Sequence, residues 1–234
     1  MRPRVVLVHG SVTNSALTWS AQAPLGEHFE LVPLDRPGFP PNPPVGRVDF
    51  DEHAEWLAER LEPGDHVVGH SYGGVVSLLA AARRPELVRS LTVVEPPAFG
   101  VARGEPAVDE FVAAAERHWA EGPRDPEEFL RTFLDLVGSG APPSPLPPPL
   151  AKGARTLMVE RLPSEAEIPV GELRATPFPK LVVSGAHHPA FDAVCDVLER
   201  ELPAERVVLP GAGHGVPRLG EPFNRALANF LERS

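Results

Sequence analysis

The chain has 234 residues, 42% of them apolar, enough for one sizeable domain with its own core. Acidic residues outnumber basic ones 32 to 22, for a formal charge of −10, and no basic run interrupts them; this argues against a nucleic-acid partner. No apolar stretch approaches the roughly 20 residues that span a bilayer, the start reads as too short for a secretory core, and the single cysteine, Cys195, has no internal partner; a reducing cytoplasm is the expected setting.

Residues 4–8 form a short apolar, β-branched run, and 29–32 form a second. A helix is expected over 50–61, a third strand over 66–68, a helix over 72–84 and a fourth strand over 91–94. Residues 109–120 and 126–137 read as amphipathic helices with helix-start signals. Residues 139–150, "SGAPPSPLPPPL", read as a stiff extended connector that regular helix does not fit. A further helix is expected over 152–161, then strands at 181–183 and 206–209 and helices at 191–202 and 222–232. Cys195 falls on the first of these last two helices and reads as a packed residue. The strands are apolar without alternation and are separated by helices, which predicts an α/β, doubly wound, mostly parallel sheet covered on both faces. Residues 1–95 and 179–234 would form this core, with 96–178 inserted as a helical block.

The stretch Gly69-His70-Ser71-Tyr72-Gly73 lies between an expected strand and an expected helix. Glycines two before and two after the serine suit a sharp strand-to-helix turn that exposes the hydroxyl. The helix start behind it offers free N–H groups to a developing oxyanion. A serine needs a base, and His214, in the loop "GAGHG" after the last strand, is the best placed. His28, His53, His66 and His118 fall on strand or helix patterns and are expected at the surface or partly packed. His70 is expected to point away from Ser71. The glycines around His214 do not open a βαβ unit, so no nucleotide site is expected there.

With "LVHGS" at 7–11, "DRPGF" at 35–39, "GHSYGG" at 69–74 and "GAGH" at 211–214, the chain resembles the α/β-hydrolase superfamily, in particular its small serine esterase-like members. The resemblance implies a Ser…acid…His order, an oxyanion hole from the N–H groups of Ser11 and Tyr72, a structural role for Asp35, and a helical cap at 96–178. It also implies an N-terminal antiparallel hairpin; this sequence starts at the strand leading to His9-Gly10, so six parallel strands are expected.

Many members carry the acid after the penultimate strand in a G-x-x-D pattern. Here Gly185-Ala186-His187-His188 puts a histidine in that place, and an imidazole cannot hold the base as a carboxylate does. Glu95, at the end of the strand after the nucleophile's helix, is the preferred acid. Asp192, which also reads as a simple helix-start carboxylate, is second, with Asp196 a weaker choice. A Ser–His pair without an acid is third. His187 and His188 invite a metal reading, but adjacent histidines point apart and no third ligand is well spaced from them, so neither metal nor cofactor is expected. The expected activity is hydrolysis of a small organic ester or thioester by a serine carboxylesterase-like enzyme. Rival readings are carbon–carbon bond hydrolysis or a lyase or cyclase step on the same site, and a non-catalytic ligand-binding protein. A small-molecule substrate is the expected partner; oligomeric state is left open.

Overall fold

The structure is a computed structural model describing residues 2–234. Its sheet contains β1 (Arg4–Val8), β2 (Glu30–Leu34), β3 (Asp65–His70), β4 (Val88–Val94), β5 (Lys180–Ser184) and β6 (Glu205–Val208). The spatial order is β2-β1-β3-β4-β5-β6, and every neighbouring pair is parallel. The chain steps from β1 to one edge, then returns across β1 to β3 and continues outward. Open parallel sheets place ligands beyond the C-terminal strand ends beside such a reversal, here near Val8 and His70.

Strand side chains alternate between two apolar layers. Val5 and Leu7 pack with Trp19, Phe223 and Phe230, carried by α1 (Ser15–Trp19) and α9 (Glu221–Arg233). Val6 and Val8 pack on the other face with residues of α2 (Phe50–Ala58), α3 (Tyr72–Arg83) and α8 (Pro189–Glu201). Burial on both faces explains why these strands read as continuous apolar runs. Asp49 starts α2 by accepting the Asp51 and Glu52 N–H groups. Cys195 is buried on α8.

Between β4 and β5 the chain forms α4 (Pro106–Glu121), α5 (Pro126–Leu136), α6 (Pro148–Leu157) and α7 (Val170–Ala175). The helix α6 starts earlier than the sequence suggests, inside the proline-rich run. Pro148 and Pro149 stand in its first turn, where a missing N–H removes no helical bond and the fixed φ suits the helix. The insertion is seated on the core by backbone bonds from Val48 N–H to Val159 O (2.9 Å) and from Arg161 N–H to Val48 O (2.8 Å). Gly153 of α6 rests on the chain just past β1, where an added Cβ would lie 1.6 Å from the Val12 carbonyl oxygen. Among the described residues no helix is long and apolar enough to cross a membrane.

Candidate active site

Ser71 follows β3 directly and precedes α3. Its φ of 53° and ψ of −128° are unfavourable for a residue with a Cβ. The flanking glycines are required by contact. A Cβ on Gly69 would lie 2.4 Å from Gly73 O, and one on Gly73 would lie 2.4 Å from the carbonyl oxygens of Val8 and His9. The turn therefore fits only when β1, β3 and α3 approach without side chains between them.

His214 Nε2 lies 2.9 Å from Ser71 Oγ. His214 Nδ1 lies 3.5 Å from Glu95 Oε2. Glu95 follows β4, is fully buried, and has a φ of 50°, a second strained position at the same sheet edge. Its Oε1 accepts the Gly185 N–H. Burial pushes the Glu95 carboxyl upward, but the imidazoles of His187 and His214 and the Gly185 N–H outweigh it and bring the carboxyl down to about 2. It is therefore ionised across the neutral range. Asp192 and Asp196 lie elsewhere, on α8, facing Arg206 at 4.0 and 3.6 Å.

His70 does not simply point away from the site. It is buried, and its Nε2 lies 2.8 Å from the His214 carbonyl oxygen. Burial, with His214 nearby, lowers it to about 3, so the neutral ring donates its Nε2–H to that carbonyl and steadies the His214 loop. His53 and His66, expected at the surface or partly packed, are fully buried. His53, on the buried face of α2, sits 3.1 Å from the Arg36 guanidinium.

Ser11, Ser71 and Tyr72 line one cavity together. As the first residue of α3, Tyr72 has an N–H without a partner in the helix. The chain leading to Ser11 is held by a residue that sequence reasoning missed. Arg36 is completely buried and donates to His9 O (3.0 Å), Gly10 O (2.8 Å) and Glu160 Oε1 (3.3 Å). Ser11 Oγ donates to Glu160 Oε2 at 2.5 Å. Burial pushes the Glu160 carboxyl up, against the pull of Arg36 and Ser11. The signal was present in "DRPGF": Arg36 is the charged residue between two turn-formers, beside the aspartate whose carboxylate accepts Ser15 N–H at 2.8 Å. Glu160 had no local signal, because only the fold of the insertion brings it to Arg36.

Two clefts meet at Ser71. One runs under the insertion and is apolar, lined by Phe99, Phe111, Trp119, Phe133, Leu157 and Phe191, the kind of lining that small-molecule sites carry. The other is more polar and passes between Gly138–Pro143 and Gly211–Leu219. The expectation that His187 has no well-spaced companions does not hold. Glu95, His187 and His214 bring their ligand atoms within 4.8 Å of one another, the one such group compact enough for a metal ion among the described residues. Three separate strand ends meet there, which no linear spacing displays. His214 belongs to the Ser71 contact, and we read the group as a carboxylate between two imidazoles.

A family model described as "Alpha/beta hydrolase family" matches residues 5–226. The chain belongs to the α/β-hydrolase family. Among curated relatives, the polyketide synthase ThaQ of Burkholderia thailandensis is 30% identical over 99% of the chain, which spans 12% of that protein. A pimeloyl-[acyl-carrier protein] methyl ester esterase of Yersinia pseudotuberculosis is 27% identical over 98% of the chain and 93% of its own length; of the Aeromonas hydrophila protein with the same name, the chain matches 55%. An α/β hydrolase from Sphaerobacter thermophilus superposes with a TM-score of 0.71 at 26% identity, covering 97% of this chain and 92% of that one. As an α/β hydrolase, the chain places Ser71 at the strand-to-helix turn after β3, at the centre of the sheet. Relatives named as esterases support ester hydrolysis at the level of the family.

Proposed function

We propose that this α/β hydrolase is a serine esterase or thioesterase that cleaves a small apolar acyl substrate through an acyl-enzyme at Ser71. The observation that carries the reading is the line Ser71 Oγ–His214 Nε2 (2.9 Å) and His214 Nδ1–Glu95 Oε2 (3.5 Å), opening into an apolar cavity. Ser71 Oγ attacks the acyl carbon while His214 Nε2 takes its proton. Glu95 holds the His214 tautomer and stabilises the imidazolium by its charge. The N–H groups of Ser11 and Tyr72 stabilise the oxyanion. His214 then returns the proton to the leaving alcohol or thiol, and water activated by the same ring releases the acid. No step draws on a cofactor.

The insertion 96–178 acts as a cap over the site. Its Phe111, Trp119 and Phe133 line the acyl side, and the more polar cleft takes the leaving group. The esterases among the relatives support ester chemistry, and the polyketide synthase relative suits an acyl thioester.

A p-nitrophenyl ester series of increasing acyl length tests the reading. The specificity constant should rise as the chain fills the apolar cavity and then fall, and Ser71→Ala should abolish hydrolysis. Undiminished hydrolysis by Ser71→Ala, or a preference for acetyl over every longer chain, would contradict it.

A further inference from the structure

His187, the neighbour of the vacated acid position at His188, has a place of its own. Glu95 Oε1 receives the Gly185 N–H, and Ala186, at a φ of 50°, turns the chain back on itself. This brings the His187 ring against the other carboxylate oxygen, with Nδ1 3.3 Å from Glu95 Oε2, closer than the 3.5 Å of His214. The opposite ring nitrogen, Nε2, lies 3.1 Å from the carbonyl oxygen of Val137, the residue that ends α5. Val137 also lines both clefts. The ring is thus strung between the acid and the insertion.

Both neighbours of the ring are acceptors. Nε2 is in hydrogen-bonding reach of the carbonyl, while Nδ1 meets the carboxylate as an ion-pair contact without a made hydrogen bond; a neutral ring would turn a lone pair on one of these acceptors, and the imidazolium has an N–H for each side. The end of α5 adds the negative pole of a helix. The other groups around the ring are His214 from the loop after β6 and His188, Phe191 and Asp192 from α8. The His214, His188 and Phe191 ring centroids lie at 5.5, 6.2 and 5.4 Å. No lysine or arginine is among them.

We propose that His187 is a positioning residue of the active site, a second imidazole on Glu95 that ties the acid to the Val137 carbonyl, so that seating of the insertion and orientation of the acid are one event. It rests on reading Ser71, His214 and Glu95 as the triad. Burial disfavours the charged ring, yet Glu95, helped by the Val137 carbonyl, outweighs burial and raises the ring from its ordinary histidine value. With His187 charged, Glu95 is shared between two rings.

Two measurements test this. The first needs no turnover: ¹⁵N NMR of the His187 ring. Both ring nitrogens should carry protons at pH 7 in the wild type, and one should lose its proton in Glu95→Gln. A neutral His187 in the wild type overturns the proposal, whatever the esterase activity. The second is the pH profile of kcat/KM on a p-nitrophenyl ester. In His187→Ala, kcat should fall about 10- to 100-fold, and the acid limb should move up by about one pH unit as the repulsion between the two rings is lost. His187→Gln, which keeps a polar N–H group beside Glu95, should recover most of kcat without restoring the limb. A folded His187→Ala protein with lower thermal stability but unchanged kcat and profile would make the residue merely structural and refute the proposal. Absence of turnover in the wild type, with a charged His187 by NMR, would sink the triad reading while leaving the tie between Glu95 and the insertion standing.

Discussion

Replacing Glu95 by glutamine keeps the shape of the side chain and removes its charge. In the proposed mechanism the attack by Ser71 turns His214 into an imidazolium, and His214 Nδ1 lies 3.5 Å from Glu95 Oε2. Unit charges at that distance attract by about 5 kcal/mol at an effective dielectric constant of ~20. Each 1.4 kcal/mol is about a decade in rate, and the glutamine dipole retains part of the effect. The expected loss is therefore about 10³-fold in kcat, with KM within about 2-fold because the acyl cavity is untouched. Asp192→Asn is the matched control. Its carboxylate is partly exposed and faces Arg206 at 4.0 Å, a contact of little energetic weight, so kcat should stay within about 2-fold. Initial rates on a p-nitrophenyl ester, with folding checked by circular dichroism, give both numbers. A larger loss in Asp192→Asn would move the acid to α8. Full activity in Glu95→Gln would mean that Ser71 and His214 work without an acid.

Gly153→Ala would put a methyl group 1.6 Å from the Val12 carbonyl oxygen, so α6 must lift; overpacking of this kind should lower stability by about 1–3 kcal/mol in urea unfolding and raise KM more than it lowers kcat. Glu160→Gln removes the charge facing Arg36, which is buried with no other carboxylate within ion-pair distance among the described residues; denaturant unfolding should show a loss of about 3–5 kcal/mol, and a neutral result would mean that Arg36 is satisfied by the His9 and Gly10 carbonyls alone. Stability should also report on Glu95. Its carboxyl stands at about 2 in the folded protein against about 4.3 in an unfolded chain. The contribution is present above the unfolded value and is lost as pH falls from about 4.3 toward 2. Glu95→Gln should flatten that part of the urea-midpoint profile.

Much of the fold lies in local pattern. The runs at 4–8 and 66–68 are apolar because both faces of those strands are covered, and the elbow at Ser71 declares itself through glycines that contact requires. His214 could be proposed because it follows the last strand in a glycine-rich loop. Glu95 could be proposed from its place at a strand end, since the parallel register brings every C-terminal strand end to one edge. Other features depend on contacts between distant segments. Arg36 and Glu160 are 124 positions apart, and His187 meets Val137 only after the insertion folds over the sheet. The start of α6 was obscured for another reason: prolines signal breakage inside a helix but suit its first turn, and composition does not separate the two. The short α1 and α7 escaped notice because helices of five and six residues hold too few turns to show a period.

The central claim is that Ser71 is an activated nucleophile. Intact-protein mass spectrometry after exposure to a fluorophosphonate tests it most directly. Wild-type protein should gain one phosphonyl group, mapped to the peptide containing Ser71; labelling should disappear in Ser71→Ala and slow strongly in His214→Ala. An unlabelled wild type, or a label that persists in Ser71→Ala, would contradict the account.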